Sequence, residues 1–230
     1  RMLCKTHDEL SVTDVADHAL SALKNSKIKN VYILGRRGPA QAAFTPPEIK
    51  ELGEFEDADV TVPFEEAKVD AASLALIEND KNALKNINFI SEYAERRVEG
   101  KSRLLTIRFL VSPVDLIGED GKVKAVKVVK NKLVENQDGS LKPIASEETE
   151  IIPAGLVFRS VGYKGKPLPD IPYDENSGTI MNASGRIVES DGTAVTGLYT
   201  AGWIKRGPSG VIGTNKTCAQ ETVALMVEDL

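Results

Sequence analysis

Residues 35–39 read Gly-Arg-Arg-Gly-Pro and follow directly on the β-branched, apolar run Asn30–Leu34. In doubly wound α/β folds, ligands gather where parallel strands end. At the corresponding place an acidic residue suits the ribose hydroxyls of NAD, whereas arginine suits the 2′-phosphate of NADP. A guanidinium meets such a dianion in planar, bidentate fashion, which lysine cannot do. Arg36 and Arg37 are therefore candidate dianion ligands. Two arginines on a loop equally fit a plain solvated surface, and the clustered Gly35, Gly38 and Pro39 favour the functional reading only slightly.

A second constellation lies near the C-terminus. The stretch 202–216, GWIKRGPSGVIGTNK, carries glycines at 202, 207, 210 and 213 just ahead of a helical pattern. Small residues let a backbone approach a ligand closely, and a helix start offers N–H groups and about half a positive charge. Such a terminus suits a phosphate or the pyrimidine edge of a reduced flavin, and Trp203 can flank a planar ring. The bland reading is a turn that needs its glycines, with Trp203 as ordinary core. No Gly-x-Gly occurs anywhere, so neither stretch is a dinucleotide fingerprint of the G-x-G-x-x-G type.

The elements that must position these residues are readable in outline. Val12, Val15, Ala16, Ala19, Leu20 and Leu23 recur at helical spacing and predict an amphipathic helix over 11–24, with Ser11 and Asp14 as its capping box. Residues 30–34 read as a strand. A helix follows from Pro46, capped by Thr45 with Glu48 at the third position. A strand over 59–62 precedes helical patterns near 70–78 and 80–97. The period then changes to two, and 103–135 predicts a β-rich antiparallel excursion that turns at Gly118–Gly121. Residues 155–162 read as a further buried strand, 197–203 as the last strand and 214–229 as the last helix. Proline and glycine crowd 165–178, which suggests a domain crossing there. The pattern is an α/β fold: a Rossmann-like domain with a β-rich insertion over 1–164, and part of a second domain over 165–230.

Composition excludes several classes. The chain has 230 residues, is 41% hydrophobic and 27% charged, and so can build a real core rather than stay disordered. A formal net charge of -5 argues against general nucleic-acid binding, and no apolar run reaches the length of a membrane helix. Only His7 and His18 are available as histidine ligands, and the two cysteines, Cys4 and Cys218, have no metal-ligand or redox spacing. No metal site and a reducing cytoplasm are the expectations.

Three stretches together carry a family resemblance. GRRGPAQAAFTPPEIKELGEF (35–55), SVGYKGKP (160–167) and GWIKRGPSGVIGTNK resemble the adrenodoxin reductase-like ferredoxin–NADP reductases, including the bacterial FAD-containing type. TDVADHAL (13–20) resembles the segment between that family's NADP fingerprint and its Arg-Arg strand. The likeness is collinear over essentially the whole chain. Ala40 where leucine is frequent, and Pro46-Pro47 where Thr or Ile is frequent, are small departures.

The resemblance implies FAD and NADP as cofactors and hydride passage from NADPH to FAD, with single electrons then released to ferredoxin. It implies that Arg36 and Arg37 grip the 2′-phosphate, that Glu48 lies at the NADP site, and that Glu51 is the acidic residue near the nicotinamide. Trp203, Gly210, Val211 and Ile212 match the flavin-contacting segment. For ferredoxin it implies docking near Arg96, Arg97, Lys101 and Arg103, the densest basic stretch. A solvated carboxylate is the alternative for Glu51, and a solvated helix end for the basic stretch.

Both fingerprints of the family are absent, and the chain opens at Arg1 without an initiator Met or a signal-peptide pattern. The expectation is a C-terminal part of a reductase that is inactive on its own. A non-catalytic nucleotide-binding fragment, or a flavoprotein like the small subunit of glutamate synthase, are the competing readings. A thioredoxin reductase-like enzyme would need a CxxC, which is lacking.

Overall fold

The structure is a computed structural model that describes residues 1–210 and 212–230, with Ile212 described by its backbone alone. The chain divides into two compact units, Arg1–Val157 and Phe158–Leu230.

The first unit opens with two short helices, α1 (His7–Ser11) and α2 (Asp17–Lys24), where the periodicity predicts one. Thr6 accepts the Glu9 N–H, and the Glu9 carboxylate accepts the Thr6 N–H in return. This capping box starts the chain helical at residue 7 rather than 11. Ala16 then begins α2 without a side-chain cap, and Val12 between the helices is exposed. The expected Ser11–Asp14 box does not form; Ser11 instead bonds back to the Asp8 carbonyl.

Strand β1 (Asn30–Leu34) leads through residues 35–38 to a 3-10 turn at Pro39–Gln41 and to α3 (Pro46–Leu52). Strand β2 (Ala58–Thr61), α4 (Ala71–Leu76), α5 (Lys81–Glu95) and β3 (Arg103–Arg108) complete the layer. The sheet is parallel in the order β1-β3-β2. Residues 103–108 are thus its central strand and not the start of the antiparallel excursion. Leu105 and Ile107 are buried with Arg108 beside them, so strands of either sheet read alike there. Ile49, Leu52, Phe55, Val60, Ile90, Tyr93, Leu105 and Ile107 form the core under the helices. The Tyr93 hydroxyl donates to the Ile49 carbonyl at 2.8 Å and ties α5 to α3.

The excursion begins right after β3. β4 (Val111–Glu119), β5 (Lys122–Glu135) and β6 (Leu141–Pro153) form an antiparallel sheet with β5 in the middle, and Asp120-Gly121 make the first turn. Val126, Val128 and Ile152 form its small core, against which Leu34 of β1 packs.

The segment 155–162 is not a strand. It pairs with nothing in the sheets described, and Leu156, Phe158 and Val161 are exposed. Apolar content alone predicted burial, but a strand also needs a neighbour to satisfy its backbone.

The second unit contains the two-residue strands β7 (Tyr173–Asp174), β8 (Thr179–Ile180) and β9 (Asn182–Ala183). β10 (Arg186–Val188), β11 (Ala194–Tyr199), α6 (Trp203–Arg206) and α7 (Ile212–Glu228) follow. β9, β10 and β11 form an antiparallel sheet with β10 in the middle. Arg186 of β10 grips Asp229, just past α7, through Nε at 2.7 Å and Nη2 at 2.8 Å, and the Tyr199 hydroxyl donates to the same carboxylate at 2.7 Å. These donors hold the Asp229 carboxyl down to about 2. An unfolded Asp titrates near ~4, so the contribution is complete above that pH and is lost as pH falls toward 2. Acid melts followed by Trp203, the single tryptophan, are expected to show the second unit loosening over that window. Asp229→Asn should flatten the dependence; an unaltered acid limb would assign it to other carboxylates.

Candidate functional site

In the first unit the site is built at the carboxyl end of the parallel sheet. The register pairs Leu34 with Arg108, so the backbone leaving β1 runs beside the backbone leaving β3. Gly35 N–H donates to the Arg108 carbonyl at 2.8 Å, and the Gly35 carbonyl accepts Val111 N–H at 3.1 Å. The Arg37 carbonyl accepts Leu110 N–H at 3.0 Å. Arg36 and Arg37 occupy the resulting bend. Both are exposed, and among the described residues neither side chain has an ion-pair or hydrogen-bond partner. Two adjacent, unpaired guanidiniums at a parallel-strand end suit a phosphate dianion.

Behind the bend, Gly38 lies where a Cβ would approach Gln41 Oε1 to 3.1 Å and Leu133 to 3.6 Å. Its N–H donates to Gln41 Oε1, and Gln41 Nε2 donates to Ser73 Oγ at 2.9 Å. Ser73 Oγ in turn donates to Asp70, the residue that caps α4. A chain of hydrogen bonds thus runs from the loop through the 3-10 turn to α4.

Arg108 itself is buried. Its guanidinium meets Glu66 through Nε at 2.8 Å and Glu150 of β6 through Nη2 at 2.8 Å, and Glu66 also accepts Phe109 N–H. The hydrogen bonds to Glu150 and Glu66 push the Arg108 pKa upward, against the opposing effect of burial.

Glu48 and Glu51 lie on α3, near one helical turn apart. The Glu48 carboxylate accepts Thr45 N–H and Thr45 Oγ1, both at 2.8 Å. The Thr45 N–H foremost, and then its hydroxyl, keep the Glu48 carboxyl below the usual carboxylate range. Capping is thus its observed role. Glu51 is half-exposed and pairs with Arg1. No hydrogen bond or ion pair joins either glutamate to Arg36 or Arg37 among the described residues. The start of α3 borders a groove lined by Phe44, Pro46, Pro47, Lys50, Lys85 and Phe89.

The basic stretch after α5 is less open than its composition predicts. Arg96 pairs with Glu92 and donates to the Gly53 carbonyl at 3.1 Å. Lys101 Nζ donates to the Phe55 carbonyl at 3.0 Å, and Arg103 to the Lys5 carbonyl at 2.7 Å. Arg97 is exposed. Buried Asp59 gathers the N–H groups of Glu99, Gly100 and Lys101, so this turn is primarily a structural joint.

In the second unit the glycine-rich turn contains a helix of its own. Gly202 N–H donates to Cys218 Sγ at 3.3 Å, and Trp203 begins α6 with about half its surface exposed. Tyr163 lies beside it, the ring centroids 6.0 Å apart. Lys205 is buried and donates to the Ser184 carbonyl at 2.7 Å and to Glu221 of α7. Gly210 has φ +80°, and a Cβ there would meet the Thr214 hydroxyl at 2.6 Å. The positive φ and the close approach of Thr214 both call for glycine at this position. Val211 lies outside the described residues, and so does the side chain of Ile212.

Arg206 is the residue sequence reading missed here. Its Nη2 donates to the Ser209 carbonyl at 3.0 Å and to Asn215 at 2.8 Å, while Nε and Nη1 are buried without a partner among the described residues. Buried donors of a cation without partners are costly, so this guanidinium suits an acceptor-rich, anionic group. Its basic charge beside glycines was the available signal. Asn131, whose Nδ2 donates to the Arg36 carbonyl at 2.8 Å, was the other omission.

Among the described residues, no cluster of three or more His, Cys, Asp or Glu side chains could hold a metal, and no helix is long and apolar enough to cross a membrane.

The fold is Rossmann-like α/β, with one anion-suited candidate site in each unit. The chain aligns along its full length with Mycobacterium tuberculosis FprA in complex with NADPH, at 41% identity and a TM-score of 0.88. In sequence it is homologous to the NADPH-ferredoxin reductases: 42% identical to FprA of M. tuberculosis over 234 residues, and 40% to that of M. leprae. It is also 32% identical to the mitochondrial NADPH:adrenodoxin oxidoreductase of Arabidopsis thaliana. All of this chain is covered in each case, but only 49% of each FprA sequence and 50% of the plant sequence. The chain thus spans about half the length of the curated relatives it matches. No family model matches it.

Proposed function

We propose that the chain carries the NADPH-recognition site and part of the FAD site of an NADPH–ferredoxin reductase. In this reading the NADP-binding domain covers 1–164 and the FAD-binding part covers 165–230. The observation that carries the proposal is the unpaired Arg36–Arg37 couple at the end of β1, in a fold matching an NADPH-complexed reductase.

When bound, NADPH supplies a hydride, and FAD supplies a carrier that takes up two electrons and passes them on singly. The chain's own residues bind and orient. Arg36 and Arg37 neutralise the 2′-phosphate and discriminate against a nicotinamide nucleotide that lacks it. Glu48 fixes the start of α3, and Glu51 one turn on is the carboxylate assigned to position the nicotinamide. Trp203, Gly210, Val211 and Ile212 are assigned to the flavin. One feature of this structure fits an anionic group there: the buried Nε and Nη1 of Arg206, which have no partner among the described residues.

Ferredoxin is the proposed partner, since the relatives reduce ferredoxin or adrenodoxin by name. An acidic partner would be met near Arg96, Arg97, Lys101 and Arg103, where Arg97 carries the most available charge. A cytoplasmic location accompanies this reading. The reductase names also favour it over a glutamate synthase-like flavoprotein.

Half coverage of the relatives supports a companion reading: alone, this chain binds nucleotide without turnover. Titration calorimetry of the purified chain tests the proposal. NADPH is expected to bind at least about tenfold more tightly than NADH, a difference near 1.4 kcal/mol. Equal affinities would remove the 2′-phosphate assignment. NADPH oxidation with ferricyanide by the chain alone would remove the companion reading.

A further inference from the structure

The cofactor loop is held in place by a residue of the β excursion. Successive residues of an extended backbone project to opposite sides, so two adjacent arginines converge on one dianion only if the chain bends between them. The bend at 36–37 is held at the Gly35 peptide by Arg108 and Val111, and at the Arg37 carbonyl by Leu110. The Arg36 carbonyl, at the centre, is held by one side chain: Asn131 Nδ2 donates to it at 2.8 Å from 95 residues away.

Asn131 is 7% exposed and sits in β5 where the pairing with β6 shifts register. Its second amide hydrogen goes to Ser112 Oγ of β4 at 2.8 Å, so both donors are engaged. Its backbone N–H donates to the Leu110 carbonyl at 2.7 Å. Leu110 has φ +56°, a left-handed conformation costly for a branched side chain, and Leu110 is the residue whose N–H reaches Arg37. Asn131 thus grips the bend directly through Arg36 and indirectly through Leu110. A buried amide with both donors satisfied fixes orientation in a way no apolar side chain can.

We propose that Asn131 is a positioning residue for 2′-phosphate recognition, and that the β excursion braces the Arg36–Arg37 bend for NADPH over NADH. This rests on the reading of Arg36 and Arg37 given above. Asn131→Asp keeps the shape but turns the donor into an acceptor facing the Arg36 carbonyl; Asn131→Ala is the milder variant should the first not fold. In either, NADPH affinity is expected to fall about tenfold while NADH affinity stays within about twofold. Hydrogen exchange at the amides of 36–38 should quicken while β1 stays protected. A folded Asn131 variant with an unchanged ratio, or with both nucleotides weakened equally, overturns the proposal. Arg36→Ala in the otherwise unaltered chain separates the two ideas. If it leaves the ratio unchanged, the 2′-phosphate reading itself fails. If it collapses the ratio while Asn131→Ala does not, only the positioning role fails.

Discussion

Replacing Arg36 and Arg37 together by alanine is expected to weaken NADPH binding roughly 100-fold and to leave NADH binding almost unchanged. The magnitude follows from the chemistry of the contact. A hydrogen bond to a charged group contributes about 1.5–3 kcal/mol, and tenfold in affinity corresponds to about 1.4 kcal/mol. Neither guanidinium has a protein partner among the described residues, so the substitutions leave no buried carboxylate stranded and the fold should persist. Titration calorimetry with both nucleotides, alongside a melting curve, reads the result. Equal loss for NADPH and NADH would place the arginines at a phosphate common to both. Lysine at both positions should restore only part of the affinity, because it keeps the charge without the planar fork.

The second large effect concerns Arg108. Arg108→Ala is expected to destabilise the first unit by about 3 kcal/mol, the scale of breaking a mostly buried pair from one side. Glu66 would be left nearly buried with only the Phe109 N–H, and Glu150, being more exposed, would contribute less. Urea unfolding measures it. The double replacement Arg108→Met with Glu66→Gln should be milder than Arg108→Ala, since the more buried carboxylate is neutralised and only the more exposed Glu150 is left unpaired. A double variant as damaged as the single one would mean the site depends on the arginine's volume rather than its charge. Because Arg108 stands where β3 ends, a destabilised variant should also lose part of its preference for NADPH.

Much of the first unit was legible in the residues. Pro46 after Thr45 with Glu48 in phase set the start of α3, and the apolar, β-branched run at 30–34 set β1. Those signals are local. The start of α1 was equally local but was outcompeted in the reading, because Thr6–Glu9 forms a capping box that an apolar periodicity beginning at Val12 hides. The central place of residues 103–108 was not local at all. Alternation shows that a strand has a buried face; which strand lies beside it depends on partners some 45 and 75 residues away. The exposed segment 155–162 makes the same point from the other side, since its apolar residues found no sheet to join.

The two sites divide along the same line. Residue type alone marked Arg36, Arg37, Trp203 and Gly210, because guanidinium geometry and a missing Cβ are properties of single residues. Asn131 was visible only as an amide between two lysines in a strand. Its significance comes from a hydrogen bond across 95 residues, and no spacing rule encodes that. Arg206 is similar: its charge is in the sequence, but the burial of Nε and Nη1 without partners among the described residues is a fact of packing. The sequence by itself thus determined which groups can bind anions, because charge, fork geometry and the freedom of glycine travel with the residue. Tertiary structure decided which of them are free and which are already paired. Arg108, Arg96 and Arg103 carry the same guanidinium as Arg36 and Arg37, yet carboxylates or carbonyls from distant segments engage them.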